Sequence, residues 1–417
     1  MPENFHIDMP EAVRNIIHTI EEHGFKAYAV GGCIRDSILG RNPDDWDITT
    51  SAVPSQIKTF FKRTVDTGIA HGTVTIMIDK TGYEVTTYRI DGEYEDGRHP
   101  KSVEFSDRLV DVLCRRDFTI NAMAYNDTDG FVDEFKGLDD LDTKIIRCVG
   151  EPELRFTEDA LRMMRAIRFS AQLGFTIDEA TWNAIKKLSP SISKISMERV
   201  HVELGKTLMS AHPDYVAQYS EAGLFAPILP VIDNALKSRY KRKILATLQH
   251  TPDNIYLRYA ALFITSTPDE AAKTLRALKL DNKTVNTVSK LVELSKMDIE
   301  ETEPAVRTAL NKYGRDFLPL WHELMMAVIQ ASEDITGISN PAKVKHLLTL
   351  KRLGTDILAR GDCFTIKDLD ISGNDLIEYG LQGHEIGETL KSLLDIVIEN
   401  PKLNDKATLI AMIEHIK

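Results

Sequence analysis

The rhythm of apolar and polar positions changes along the chain. Up to about residue 140, short apolar runs alternate with turn residues; beyond it, apolar positions recur three and four apart. Lys26–Val30 is an apolar run that ends at Gly31-Gly32. Gly72–Asp79 (GTVTIMID) and Tyr83–Ile90 (YEVTTYRI) are β-branched and partly alternating, and they predict a hairpin with its turn at Thr81-Gly82. Trp46–Thr49 reads as a further strand. Helices are predicted over Pro10–His23, Cys33–Leu39 and Ser51–Phe61, the last with Pro54 at a favoured first-turn position.

From about Gly150 the pattern stays helical. Thr157 followed by Glu158-Asp159 reads as an N-cap with an acidic first turn. On the wheel that follows, Asp159, Arg162, Arg165 and Arg168 form a drifting stripe, with Leu161, Met163, Met164 and Ile167 opposite. Helical spacing continues through Gln172, Ile177–Leu188 and Val200–Met209 to the C-terminus, punctuated by Pro190, Pro213, Pro252, Pro268, Pro304, Pro341 and Pro401. No fixed-period repeat, low-complexity segment or long linker interrupts it. The expected architecture is α+β: a small head with a mixed sheet and helices, then a long all-α body.

With 417 residues the chain exceeds the ~250–300 that one core usually organises, so several packed units are expected. Hydrophobic residues at 43% and charged residues at 27% exclude disorder over most of the length. No apolar run approaches the ~20 residues that span a bilayer, and MPENFHIDMPEAVRN lacks the basic and apolar parts of a secretory signal. The formal charge of −12 argues against sequence-blind coating of nucleic acid, but Glu151–His250 is slightly basic, which suits a grip on one polyanion at one place. Cys33, Cys114, Cys148 and Cys363 are too scattered for a zinc site and read as buried thiols of a reducing cytoplasm.

The chemistry concentrates in AYAVGGCIRDSILGRNPDDWDITTS, from Ala27. Asp45 and Asp47 stand at i and i+2, on one face of an extended segment, as hard oxygen ligands suited to Mg²⁺. Gly31-Gly32 between a strand and a helix offers bare backbone N–H groups to phosphates, with Arg35 one turn in to pair with them. A DxD or a GG alone is ordinary surface or turn; the ordered combination within so few residues is not. Glu84 begins the strand face Glu84, Thr86, Tyr88 and is a candidate proton acceptor. The dipeptide His-Asp is absent, which excludes a metal phosphohydrolase of that type. Lys237–Lys243 (KSRYKRK) reads equally as an RNA-backbone contact and as a solvated face, and GLQGHEIG at Gly380–Gly387 as a turn.

VGGCIRDSILGRNPDDWDITTS resembles the signature of the class II tRNA nucleotidyltransferase and bacterial poly(A) polymerase family, within the polymerase-β-like nucleotidyltransferases. The resemblance runs on through HGTVTI, YEVTTYRIDGEYEDGRHP, RRDFTINAMAY, DEFKGLDDL, TEDALRMMRAIRFSAQLGF and ISMERV, and faintly through LRALKL into the C-terminal part. It implies a nucleotidyltransferase head (1–140), a neck that reads the base (141–205), a helical body (206–310) and a tRNA-binding tail (311–417). It implies addition of C, C and A to the tRNA 3′ end from CTP and ATP in the cytoplasm, with Mg²⁺ on Asp45 and Asp47. The implied nucleotide contacts are Gly32, Arg35, Arg116, Asp117, Asp159, Arg162, Arg165 and Arg168. Within them, Asp117 supports the sugar hydroxyls, Asp159 and Arg162 read the base, and Arg165 and Arg168 reach the triphosphate or primer.

The implied base template makes chemical sense. A carboxylate only accepts hydrogen bonds and a guanidinium only donates. Cytosine and adenine share an amino donor beside a ring acceptor; uracil and guanine invert that order, so one Asp–Arg pair accepts the first two and repels the others. By the same resemblance, Tyr94–Pro100 (YEDGRHP, where the family pattern usually carries Arg-Arg-Pro) is the loop that switches the site from C to A addition. Its presence favours the full C, C and A product over CC addition alone. An A-only enzyme and a poly(A) polymerase are the alternatives, the latter disfavoured because HGTVTI lacks the basic run expected of that branch. A non-enzymatic RNA-binding scaffold would need a broken DxD or template pair, and both are intact.

Overall fold

A computed structural model describes residues 6–92 and 103–416. The loop Tyr94–Pro100 lies outside the described residues. The chain divides into two compact units, Met1–Pro230 and Val231–Lys417. The boundary falls inside the 206–310 segment expected to form one helical body.

The first unit is built on a seven-stranded mixed sheet. Its strands are β1 (Ala27–Val30), β2 (Ile48–Thr50), β3 (Thr64–Gly68), β4 (Thr73–Ile78) and β5 (Thr81–Thr87), then β8 (Ala124–Asn126) and β9 (Gly130–Val132), in the spatial order β3-β4-β5-β2-β1-β8-β9. Between them in the chain, β6 (Arg89–Asp91) and β7 (Val103–Phe105) form a separate two-stranded ribbon. Within the seven-stranded sheet β2 and β5 run parallel and the other neighbouring pairs are antiparallel. Helices α1 (Glu11–Glu22), α2 (Gly32–Ile38), α3 (Pro54–Phe60), α4 (Leu109–Cys114) and α5 (Gly137–Asp142) accompany the sheet. The α1 helix buries Val13, Ile16, Ile17 and Ile20, a three-and-four spacing that accounts for its amphipathic pattern. Pro54 occupies the first helical turn of α3, as expected.

Several sequence-based expectations shift. The β4–β5 turn is Asp79-Lys80, both with positive φ (46° and 71°), and not Thr81-Gly82. A two-residue hairpin loop of this kind needs left-handed backbone at both central residues. Gly82 instead lies within β5, where an added Cβ would meet Thr75 Cγ2 at 2.8 Å. The Tyr83–Ile90 run is broken at Tyr88, whose side chain turns into the core with Tyr28, Val30, Val112 and Leu113 rather than following the face of Glu84 and Thr86. Asp45–Asp47 precede β2 and are not part of it. Asp47 O still accepts from Val30 N at 2.9 Å, but β1 turns away at Gly31, so the preceding residues have no strand to pair with.

The remainder of the first unit is chiefly helical: α6 (Pro152–Glu158), α7 (Leu161–Leu173), α8 (Glu179–Leu188) and α9 (Met197–Leu208). Thr157 is not an N-cap. It lies inside α6, its hydroxyl donating to Glu153 O, and the helix ends at Asp159, which is extended (φ −147°, ψ 104°). The break places Asp159 outside the helix that carries the three arginines. Ile177 belongs to a short strand, Thr176–Ile177, paired with Ile145–Ile146; the following helix begins after Asp178, whose carboxylate caps Thr181 N.

The second unit is helical among the described residues. Thr267, Thr302 and Asn340 cap helices whose first turns carry Pro268, Pro304 and Pro341, so these prolines start helices as the punctuation suggested. Leu376, Leu393, Val397 and Leu409 lie at the centre of one of its cores. Arg307, 2% exposed, donates to Ile398 O and Asp362 and so ties its helix to His384–Glu399. Lys237 of the basic cluster pairs with Asp233, and Arg239 stacks on Tyr240. Cys33, Cys148 and Cys363 are buried and unbridged; burial pushes the first two thiols up to about 12. Cys114 is exposed, contrary to the expectation of four buried thiols, because it closes the short α4 at the surface. Among the described residues no helix is long and apolar enough to cross a membrane.

Gly137 packs α5 against the turn Thr119–Asn121; a Cβ there would sit 2.3 Å from Thr119 O and 2.9 Å from Met123 Cγ. Because a backbone oxygen cannot step aside, Gly137→Ala should destabilise the first unit by ~1–3 kcal/mol, read as a lower thermal midpoint. An unchanged midpoint would show that the turn is not held by this contact.

Candidate active site

The site begins where β1 ends. Gly31 has φ +90°, a left-handed conformation favouring glycine, and opens α2 by accepting the first helical hydrogen bond, from Arg35 N. An added Cβ on Gly31 would lie 2.0 Å from Arg116 Nη1, whereas at Gly32 the nearest atom is Arg35 Nη2 at 3.7 Å. Gly31 is therefore the glycine that lets Arg116 cross the turn. The half-buried Arg116 makes no hydrogen bond or ion pair among the described residues, and its buried Nε has no partner. A guanidinium so placed is an unsatisfied anion receptor.

Arg116 lines a cleft of about 240 Å³ with Asp47, Glu84, Thr49, Thr73 and Thr86. The parallel register Ile48↔Val85 brings the residue before β2 beside Glu84. Asp45 and Asp47 are exposed on either side of the buried Trp46, so the extended chain turns both carboxylates to solvent and anchors itself by the indole. Neither carboxylate makes a hydrogen bond or ion pair among the described residues. Glu84 is likewise exposed and unengaged. Asp45 is not among the residues that line the cleft. No group of three His, Cys, Asp or Glu side chains among the described residues could hold a metal by itself. Asp45 and Asp47 supply two hard carboxylates, a donor chemistry that suits a hard cation completed by a ligand's oxygens.

Behind the cleft the polar groups are saturated. Asp117, 8% exposed, accepts from Arg165 Nε at 2.7 Å, from Asn121 Nδ2 at 3.0 Å and from Phe118 N at 2.9 Å. Burial alone would raise its pKa; the charge of Arg165 and the hydrogen bonds from Asn121 and Arg165 overcome this and hold the carboxyl well below the usual range. Asn121 Oδ1 accepts from Arg35 Nη1 at 2.6 Å, while Arg35 also grips Asp36. Arg168 donates to the buried Glu203 at 2.7 Å. The guanidinium carbons of Arg35, Arg165 and Arg168 lie 5.0, 5.3 and 3.5 Å from the Phe169 ring centroid. Arg35, Arg165 and Arg168, expected as phosphate contacts, are thus joined in one partly buried network, and Arg116 is the cation left at the cleft.

The expected base-reading pair is held apart. Arg162 donates from Nη1 to Arg155 O and Glu158 and from Nη2 to Arg115 O. Asp159 instead receives Leu161 N at 3.0 Å and both terminal nitrogens of Arg199, at 3.2 and 2.7 Å. Sequence reasoning singled out neither Glu158 nor Arg199 nor Glu203. Their signals were present as TED and ISMERV with a glutamate four residues past the arginine, but nothing in spacing tells which charge meets which across a helix pair.

Three family models match the chain in tandem: the poly A polymerase head domain over residues 27–147, the probable RNA and SrmB-binding site of polymerase A over 174–236, and tRNA nucleotidyltransferase domain 2 over 256–413. The CCA-adding enzyme of Pediococcus pentosaceus is 34% identical over 98% of both chains, and that of Limosilactobacillus fermentum 37% identical over 96% of this chain and 95% of its own. The crystal structure of the Bacillus stearothermophilus CCA-adding enzyme in complex with CTP superposes with a TM-score of 0.75 at 31% identity, covering 97% of this chain and 96% of that one.

The Asp117–Arg165 pair has a pH signature. Its native carboxyl pKa lies below the unfolded value, so its contribution is complete above ~4 and fades as pH falls through the lowered native value. Asp117→Asn should cost ~1.5–3 kcal/mol near neutrality and flatten the loss of stability below pH ~4. Denaturant melts at neutral and acid pH check this; an equally steep acid limb in the variant would move the titration elsewhere.

Proposed function

The chain belongs to the CCA-adding enzyme family, and from that premise we propose how its own residues carry out the addition of C, C and A to the 3′ end of tRNA from CTP and ATP. The observation that carries the reading is a contrast: among the described residues Asp47, Glu84 and Arg116 at the cleft, and Asp45 two residues before Asp47, make no side-chain hydrogen bond or ion pair, while Asp117 and Arg35 behind them are held by partners. Unengaged charges at the mouth of a site are the ones available to a ligand. The relatives, CCA-adding enzymes along nearly their whole length, do not favour the A-only and poly(A) alternatives.

Asp45 and Asp47 fit Mg²⁺: hard oxygens, one or two carboxylates, and room for triphosphate oxygens and water. When bound, such ions supply Lewis acidity that activates the primer hydroxyl and neutralises the leaving pyrophosphate. Arg116, which makes no hydrogen bond or ion pair among the described residues and lies over the Gly31 turn, takes a phosphate. Gly32 at the start of α2 offers its backbone, and Asp117 supports the sugar hydroxyls from its buried position. Glu84, beside Asp47, accepts the proton of the primer 3′-OH. Arg35, Arg165 and Arg168 act through the network that fixes Asp117, with Arg165, the most exposed of the three, nearest to contact with the nucleotide.

Asp159 and Arg162 read the base. A carboxylate has about four acceptor positions, and three on Asp159 are occupied by Leu161 and Arg199, which leaves one for the amino group of cytosine or adenine. Both readers fall in the neck, 141–205, between the head, 1–140, and the helical body and tail (206–310 and 311–417) proposed to carry the tRNA. The cytoplasm, where tRNA and triphosphates meet, is the proposed place of action.

Purified Asp45→Ala and Asp47→Ala variants should lose CTP and ATP incorporation while still binding tRNA, because metal-bound carboxylates act on the transition state. Near-normal turnover of either would remove it from the metal site. Asp159→Ala should lower kcat/KM for CTP and ATP by roughly ten- to hundredfold and narrow their advantage over UTP and GTP by a similar factor. A uniform slowing with unchanged base preference would make Asp159 a scaffold.

A further inference from the structure

Asp159 occupies an unusual position for a recognition group. It stands in the two-residue gap between α6 and α7, in extended backbone. The terminal torsion of an aspartate is soft, so an isolated carboxylate there would present its oxygens in many directions. The described contacts remove that freedom. Leu161 N holds Oδ1, and the guanidinium fork of Arg199 spans both oxygens, Nη1 to Oδ1 at 3.2 Å and Nη2 to Oδ2 at 2.7 Å. A two-point fork fixes the plane of a carboxylate as well as its position.

Arg199 reaches this contact from the first turn of α9, forty residues along the chain. Among the described residues its guanidinium makes no other hydrogen bond or ion pair, unlike Arg165, Arg168 and Arg307, each shared among several groups. The pair is partly shielded, with Arg199 23% and Asp159 16% exposed, so the fork is not a loose surface bridge. Arg162 is held by Glu158 and by the carbonyls of Arg155 and Arg115.

We propose that Arg199 is a positioning residue for base choice: by fixing the plane of the Asp159 carboxylate, it aims the remaining acceptor position at the amino group of the incoming base. The inference rests on Asp159 as a base reader. It separates Arg199 from the phosphate-facing arginines: its loss acts on discrimination among bases, whereas theirs acts on all four triphosphates alike.

The test is kcat/KM for CTP, ATP, UTP and GTP on a tRNA primer with Arg199→Gln and Arg199→Lys, alone and with Asp159→Ala, thermal melts confirming folded protein. In Arg199→Gln the CTP:UTP preference should fall roughly tenfold, the effect of one charged hydrogen bond misdirected. Arg199→Lys keeps the charge but lacks the fork, and should lose a smaller factor. Adding Arg199→Gln to Asp159→Ala should leave the preference where Asp159→Ala alone puts it, since the two act through one group. Uniform slowing with unchanged preference, or additive losses in the double variant, would overturn the proposal. If Arg199→Gln does not fold, Arg199→Lys decides: a full preference in the folded lysine variant overturns it. If Asp159→Ala itself leaves the preference intact, the base-reading assignment fails first; if only the Arg199 variants do, the positioning role alone fails.

Discussion

The buried ion pair between Asp117 and Arg165 is the constraint on which the first unit's site depends. Asp117 belongs to the segment that leads from α4 back toward the sheet, and Arg165 to α7 in the neck. Taking the Asp117 carboxylate out of water is costly, and the arrangement persists because Arg165, Asn121 and Phe118 N hold it while Glu203 and the Phe169 ring flank the partly exposed Arg165. Such a saturated cluster has few alternative geometries. It therefore sets where α7 stands relative to the sheet, and with it the distance between the groups suited to triphosphate and those suited to the base.

The unengaged groups gain their meaning from that background. Most buried polar groups in the first unit find partners, so an arginine with an unpaired buried Nε and exposed carboxylates without cations stand out. Arg115 and Arg116 both line the cleft: the carbonyl of Arg115 accepts from Arg162 of the neck, and the Arg116 side chain lies across Gly31.

Much of this was legible in the sequence for stated reasons. The head's strands, the GG turn, the extended DxD and the helical remainder follow from period and turn chemistry, which act locally. Trp46 is the instructive success: a large apolar residue between two aspartates puts both carboxylates on the opposite side of an extended chain. What could not be read was partner choice. Asp159 and Arg162 are three apart, so a wheel makes them neighbours, but Asp159 lies beyond the helix end, and a break two residues long is invisible to periodicity. Thr157 looked like a cap for the same reason. The turn at Asp79-Lys80 was missed because lysine seldom adopts left-handed backbone, and Gly82, the obvious turn former, is instead required to be small beside Thr75.

The strand order has a consequence for how the enzyme comes into being. The central strand β1 pairs on one side with β2, about twenty residues on, but on the other with β8, where Ala29 meets Tyr125. The parallel β2–β5 pair likewise waits for the β3–β4–β5 meander to fold back. Loop-closure entropy makes such non-local pairings late events. During synthesis Asp47 and Glu84 therefore stay strangers until nearly the whole sheet has left the ribosome. Asp117, although close to β8 in sequence, has no Arg165 until the neck follows. A nascent chain thus has no assembled cleft until the sheet strands have paired, and no Asp117–Arg165 ion pair until α7 has been made.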